Sequence, residues 1–143
     1  MPLKVKKMFG VNSSYSFEAP VFSASVPIRN AASDQAQVQS FDLNEFLVPN
    51  PEKVFLVRVI GDSMIDENIF SGDILVVNRD ETPEDGKVVI ASLNGEAAVK
   101  TFRIVDEIPY LYSANKNFLP IEIDEYMTFE IQGIVKHVIH DMY

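Results

Sequence analysis

The sequence is organised around the stretch Val57-Arg58-Val59-Ile60-Gly61-Asp62-Ser63-Met64. Phe55, Val57 and Val59 alternate with their neighbours, which predicts a strand that carries these three side chains on one face. Gly61-Asp62 then predicts a sharp turn, because glycine tolerates unusual backbone angles and aspartate favours turns. We therefore expect Ser63 at the strand end, with an exposed hydroxyl beside backbone N–H groups that can stabilise an oxyanion.

The same residues have a simpler interpretation, since Asp62 or Ser63 can merely cap a short helical turn. A catalytic serine needs a base, and Lys100 is the candidate. Asn94-Gly95 is a strong signal for a hairpin turn, so residues 96–104 are predicted to form the returning strand.

Strand alternation places Ala98, Lys100 and Phe102 on one face of that returning strand. The alternative is a lysine on the solvated face of an edge strand, but its apolar neighbours argue for a buried face. Burial disfavours the charged ammonium and lowers the pKa of a lysine, as a lysine general base requires.

The fold class predicted for the chain is mainly β, a compact, barrel-like folded sheet of short strands. The predicted strands are 53–60, 73–78, 87–93, 96–104, 109–113 and 128–140, separated by turns rich in Gly, Pro, Asn and Asp. A short helical turn is expected within 41–47, ahead of Pro49 and Pro51. No long amphipathic helix is predicted.

Two regions are expected, a flexible N-terminal arm over 1–40 and a folded β-rich domain over 41–143. The arm lacks sustained periodicity, and such a segment cannot bury enough apolar surface to offset its ordering entropy. Its one patch suited to docking as a strand is Val21-Phe22-Ser23-Ala24. The arm is also too short and too polar for a helix-turn-helix module.

The net charge of −9 is unevenly distributed between these regions, with +2 in residues 1–40 and −11 in residues 41–143. An acidic domain repels the phosphate backbone, so we expect no direct binding of duplex DNA and look for protein partners instead.

Composition excludes several classes of protein and site. No stretch approaches the ~20 apolar residues of a membrane span, and no secretory signal is found at the N-terminus, so a cytoplasmic location is expected. With no cysteine, disulfides and thiolate metal sites are excluded. His137 and His140 would lie on opposite faces of a strand, which disfavours a shared metal; no metal and no cofactor is expected.

Three blocks in this order resemble the LexA/UmuD family of self-cleaving serine–lysine peptidases. They are Gly61-Asp62-Ser63-Met64-Ile65-Asp66, Ser71-Gly72-Asp73-Ile74-Leu75-Val76-Val77 and Asn94-Gly95-Glu96-Ala97-Ala98-Val99-Lys100. The interval of 37 residues between Ser63 and Lys100 also fits the family. The resemblance extends from about residue 41 to the C-terminus, and because no helix-turn-helix module is predicted, the chain is expected to be UmuD-like.

The resemblance implies a function in the DNA-damage (SOS) response. Ser63 would be the nucleophile, Lys100 the base, and the backbone N–H groups of Asp62 and Ser63 the oxyanion donors. In the family, a recombinase filament on single-stranded DNA stimulates self-cleavage, and the trimmed homodimer becomes a subunit of an error-prone translesion DNA polymerase. The alternatives are a non-catalytic dimeric binding module, or the C-terminal domain of a LexA-type repressor without its DNA-binding half.

The predicted cleavage site is Ala24-Ser25, a departure from the Ala-Gly or Cys-Gly of the family. Small residues flank this bond, Val21 and Phe22 upstream can dock as an extended strand, and Pro27 matches the family's pattern around the cut.

The apolar C-terminal strand at 128–140 leaves two alternatives open. An uncovered edge strand would pair with a second copy of the chain, whereas a strand inside the sheet would not. The family resemblance favours a homodimer.

Overall fold

The computed structural model describes residues 4–9, 18–22 and 38–142 of the chain. The predicted cleavage site Ala24-Ser25 lies outside the described residues. The chain divides into two compact units, one formed by Met1–Val11 with Glu52–Tyr143 and the other by Asn12–Pro51. The predicted division at residue 40 stays a prediction.

Short strands dominate the described residues, as predicted. In chain order they are β1 (Lys4–Phe9), β2 (Glu18–Phe22), β3 (Val38–Asp42), β4 (Val54–Ile60), β5 (Ile74–Asn78), β6 (Val88–Leu93), β7 (Glu96–Val105), β8 (Ile108–Tyr112), β9 (Ile121–Glu122) and β10 (Phe129–Ile139). Within the described residues, the helical elements are α1 (Leu43–Leu47) and two 3₁₀ turns, Pro51–Lys53 and Ile65–Glu67. Each of the six strands predicted from sequence is present, with both ends within one residue of the prediction.

The larger unit contains a closed barrel of six strands. The strand order is β1-β4-β5-β10-β6-β7, and β7 pairs with β1 to close the ring. Every neighbouring pair in the ring is antiparallel. Strands β8 and β9 continue the sheet from β7. The predicted mainly β, barrel-like fold is therefore confirmed.

Alternation along the strands builds the core. Phe55, Val57 and Val59 are buried together, as predicted, and Val57 lies opposite Leu75 of β5. Their cluster also contains Met64, Ile69, Val77, Ile90 and Val99. A second cluster on the other face of the sheet contains Val89, Ala91, Phe102, Leu111 and Ile134. The turn that follows β4 is thus anchored in the main core through Met64.

Strand β1 is the main difference from the prediction, because its residues were assigned to a flexible arm. It pairs with both β4 and β7, so its backbone closes the barrel. Its sequence Lys4-Val5-Lys6-Lys7-Met8-Phe9 shows little apolar alternation. The pairing is set by strands more than 40 residues away, which local patterns do not reveal.

Strand β10 lies inside the sheet, between β5 and β6. Of the two alternatives for this strand, the structure shows the one in which it lies inside the sheet. The prediction that β10 forms an uncovered edge is wrong, so it does not support a dimer. Gly133 permits the close approach of β10 to β5, since an added Cβ there would lie 2.8 Å from the carbonyl oxygen of Asn78.

The smaller unit contains the antiparallel pair β2–β3 and helix α1. Val21 and Phe22, predicted to dock as a strand, pair with Gln39 and Val38 of β3. The Asp42 carboxylate caps the helix by accepting hydrogen bonds from the N–H groups of Asn44 and Glu45. Over the described ranges, no helix is long and apolar enough to cross a membrane.

Candidate active site

The turn after β4 is shaped by Gly61 and holds Ser63 at its centre. Gly61 has φ = 121°, a conformation that strains any residue with a side chain. Its N–H donates to the hydroxyl of Ser71, 3.3 Å away, and a 3₁₀ turn begins at Ile65. Ser63 is 0% exposed, so the prediction of an exposed hydroxyl is wrong. A later segment of the chain packs against the turn on both sides of Ser63.

Lys100 lies in the middle of β7 and is only 8% exposed. It is opposite Val89 of β6, and Phe102 two residues further along is buried as well. This apolar setting confirms the predicted buried face. Burial lowers the pKa of Lys100 from the usual 10.5, because the charged ammonium is poorly solvated there.

Strand β1 brings the two candidate residues to the same part of the barrel. Lys4 of β1 is the partner of Ile60 in β4 and also of Ala98 in β7. Because both strands are antiparallel to β1, they run in the same direction. Ser63 lies three residues beyond Ile60 and Lys100 two residues beyond Ala98. Both therefore lie toward the same end of the barrel.

The segment Ser113-Ala114-Asn115, which follows β8, connects the turn to the lysine. The Asn115 side chain donates to the carbonyl oxygen of Asp62 at 2.9 Å. Ala114 donates its N–H to the sulfur of Met64 at 3.2 Å and accepts from the N–H of Asp66 at 2.7 Å. The ammonium nitrogen of Lys100 donates to the Ser113 hydroxyl at 2.8 Å. One three-residue segment thus contacts both neighbours of Ser63 and the side chain of Lys100.

The predicted oxyanion donors, the N–H groups of Asp62 and Ser63, belong to this turn. A peptide unit is planar and trans, so its C=O and N–H point in opposite directions. The carbonyl of Asp62 and the N–H of Ser63 form one such unit. By binding this carbonyl, Asn115 fixes the direction of the Ser63 N–H. The donor assignment itself stays a prediction.

We expect Asn115→Ala to slow any chemistry at Ser63 and to destabilise the fold. Asn115 is only 7% exposed, and its loss leaves the Asp62 carbonyl without this donor. The free energy of unfolding should fall by about 1–3 kcal/mol. Self-cleavage should fall about tenfold, less than for direct removal of an oxyanion donor. Urea unfolding and timed cleavage assays measure the two effects.

Asn117→Ala is the matched control for this experiment. Asn117 is exposed and contacts Asn115 through its backbone N–H, which alanine retains. The control should behave like the unsubstituted protein in both assays. Equal cleavage rates for Asn115→Ala and Asn117→Ala would contradict a role for Asn115 at the turn.

One of the two histidines, His140, contacts a buried carboxylate. His140 binds the buried carboxylate of Asp73, with 2.6 Å between Nδ1 and the oxygen, and packs on the ring of Phe70. Within 4–9, 18–22 and 38–142, no group of three or more His, Cys, Asp or Glu residues could hold a metal ion. His140 and Asp73 therefore form a contact between the end of β10 and the start of β5.

Sequence reasoning missed Ser113 and Asn115. The only signal there was the turn composition of Asn115-Lys116-Asn117, which does not predict what the turn contacts. Their partners are distant in sequence. Ser113 contacts Lys100, more than 10 residues earlier, and Asn115 contacts Asp62, more than 50 residues earlier. Pairing of β7 with β8 produces this return.

Known proteins provide an independent assignment of the family. The Peptidase S24-like family matches residues 20–136. A LexA repressor of Leifsonia xyli subsp. xyli is 37% identical over 121 residues, which cover 74% of this chain and 54% of that protein. A LexA repressor of Xylella fastidiosa is 38% identical over 89 residues, covering 62% of this chain and 41% of the relative. The chain therefore spans about half the length of these repressors.

Protein SamA of Salmonella typhimurium matches over a larger share of its length. It is 34% identical over 124 residues, which cover 85% of each of the two chains. The family match includes β4, β7 and the 113–115 segment, and therefore all the residues of the candidate site. From the match over residues 20–136 and these relatives, the chain belongs to the Peptidase S24-like family, the LexA/UmuD family of the sequence resemblance.

Proposed function

We propose that this chain is a serine peptidase that cleaves its own N-terminal region, with Ser63 as nucleophile and Lys100 as base. The observation that carries the proposal is the burial of Lys100 on β7, beside a segment that also contacts the turn around Ser63. A buried lysine with a lowered pKa supplies the neutral amine that a general base needs. Membership of a peptidase family supports the same reaction.

In the proposed mechanism, the oxygen of Ser63 attacks the carbonyl carbon of the scissile bond while its proton passes to the neutral Lys100 amine. Negative charge develops on the carbonyl oxygen, where the N–H groups of Asp62 and Ser63 would stabilise it. The resulting ammonium then donates the proton to the leaving amine as the peptide bond breaks. Water hydrolyses the acyl-enzyme, with Lys100 again accepting a proton.

Burial of the site favours self-cleavage over general proteolysis. Ser63 is 0% and Lys100 is 8% exposed. A peptidase that acts on other proteins needs an open cleft for a long extended chain, whereas a segment of the same molecule is already present at high effective concentration.

The wider function in this proposal is that of a UmuD-like protein of the SOS response. After trimming, a homodimer would serve as a subunit of an error-prone translesion DNA polymerase, and a recombinase filament on single-stranded DNA would stimulate the cut. Similarity to both protein SamA and the LexA repressors supports a function within this family, and the C-terminal domain of a LexA-type repressor is the second candidate.

Mass spectrometry of the purified protein after incubation tests both the reaction and the site. We expect a product of residues 25–143, formed by cutting Ala24-Ser25, and faster cleavage as the pH rises from 7 to 10. A fragment beginning at Ala32 or Ser33 would refute this site while leaving the reaction intact. An intact chain at every pH, with or without a recombinase filament, would instead favour a non-catalytic binding module of the same fold.

A further inference from the structure

The hydroxyl of Ser113 is the hydrogen-bond acceptor for the Lys100 side chain, at 2.8 Å from the amine nitrogen. Lys100 lies on the face of β7 that carries Ala98 and Phe102, opposite Val89. These neighbours present only carbon atoms from their side chains. Ser113 therefore provides a polar contact inside an apolar setting.

Charged side chains on the adjacent elements are more exposed than Lys100. The exposed side chains are those of Lys4 on β1 and of Asp62 and Asp66 in the turn. Lys100, in contrast, is 8% exposed. Tyr112 precedes Ser113 and pairs with Thr101 of β7. The side chain of Thr101 points to the face of β7 opposite to that of Lys100. Ser113 therefore provides a short hydrogen bond to an amine that is more buried than these neighbouring charged groups.

A neutral lysine amine has two N–H groups and one lone pair, and only the lone pair accepts a proton. Rotation about the last carbon–nitrogen bond decides where that lone pair points. Donation of one N–H to a fixed hydroxyl restricts this rotation. The same hydroxyl accepts from the ammonium, so the contact persists when the amine takes up a proton.

We propose that Ser113 is the positioning residue of Lys100, holding its amine so that the lone pair faces Ser63. The inference rests on the proposed function of Ser63 and Lys100. Ser113 itself forms no bond with the substrate. Its hydroxyl holds the amine in an orientation that allows proton transfer. Misplacement of a reacting group can reduce the rate about 100-fold.

Self-cleavage of Ser113→Ala and Ser113→Thr provides the first test. Alanine removes the hydroxyl, so the rate should fall roughly 10- to 100-fold, whereas threonine retains it and should keep most of the rate. Ser113→Cys is a second variant of similar size with a weak acceptor, and it should resemble alanine. Thermal unfolding shows that each variant is folded. Wild-type cleavage by folded Ser113→Ala or Ser113→Cys would overturn the proposal.

The second test measures the titration of Lys100 by NMR and needs no cleavage. It compares Ser63→Ala with the double variant Ser63→Ala/Ser113→Ala, both labelled at lysine. The ammonium loses an acceptor in the double variant, so the pKa of Lys100 should move further down. A purely structural effect of Ser113 would leave this pKa unchanged, and an unchanged pKa would overturn the proposal.

The two tests separate failure of this proposal from failure of the proposed function. If Ser63→Ala still cuts itself, Ser63 is not the nucleophile, but the NMR titration still decides whether Ser113 controls the Lys100 amine. If Ser63→Ala is inactive and the titration is unaffected by Ser113, only the positioning role of Ser113 fails.

Discussion

Replacement of Ser63 by alanine is expected to abolish self-cleavage, with a loss of roughly 10⁴-fold or more. The serine oxygen forms the acyl bond in the proposed mechanism, so no other group of the site can replace it. The substitution removes one buried oxygen and leaves the backbone turn intact. Gel electrophoresis and mass spectrometry after incubation at pH 7–10 measure the remaining cleavage.

Ser92→Ala is a matched control for the loss of a serine hydroxyl. Ser92 is half-buried on β6, opposite Ala97, and has no part in the proposed site. Its variant should cleave at the unsubstituted rate, and both variants should unfold at similar temperatures. Cleavage of Ser63→Ala at the normal rate and bond would show that the nucleophile has been wrongly assigned.

Replacement of Lys100 by methionine is expected to abolish self-cleavage and, at neutral pH, to stabilise the fold. Methionine has a similar length but no basic nitrogen, so proton transfer from Ser63 is lost. It also removes a polar group from an apolar setting, which should raise the free energy of unfolding by on the order of 1 kcal/mol. A substitution that destroys activity while raising stability is the expected mark of a functional buried lysine.

Lys100 should also make both the free energy of unfolding and the cleavage rate depend on pH. Because the pKa of Lys100 is lowered in the folded chain, the unfolded chain binds more protons between that lowered pKa and 10.5. The Lys100 contribution therefore makes the fold more stable as the pH rises through this window, and self-cleavage should accelerate over its lower part. Lys100→Met should lack both responses.

Urea unfolding and cleavage assays at pH 7 and pH 10 measure these responses. Lys87→Met is a suitable control, because Lys87 is exposed. It should retain cleavage and its dependence on pH. A Lys100→Met protein that still cuts itself faster at pH 10 would show that another group titrates and acts as the base.

Five of the six barrel strands could be predicted because their signals are local. Apolar alternation and turn residues define each strand, and Asn94-Gly95 adopts the positive φ angles of 51° and 87° that the hairpin prediction requires. Strand β1 was not predictable in this way, since Lys6 and Lys7 interrupt its pattern and its partners are distant in sequence. Which strands become neighbours depends on closure of the whole ring.

The candidate site likewise has features that local sequence predicts and features that depend on distant contacts. Ser63 and Lys100 were proposed from short blocks that resemble the family, and the burial of Lys100 was predicted from its flanking residues. The burial of Ser63 and the contacts of Ser113 and Asn115 depend on how a later hairpin returns to the turn. Similarly, the pairing of β10 on both sides depends on the order of strands, which its apolar sequence does not specify.

The position of β1 gives the proposed cut an unusual outcome. Residues 4–9 precede Ala24-Ser25 in sequence, yet their backbone joins β4 to β7. Hydrolysis at that bond would break the covalent link to this strand while leaving its ladder hydrogen bonds in place. The immediate product would be a two-chain complex, in which the small fragment still completes the barrel. Departure of that fragment would then uncover one edge each of β4 and β7, open to another strand.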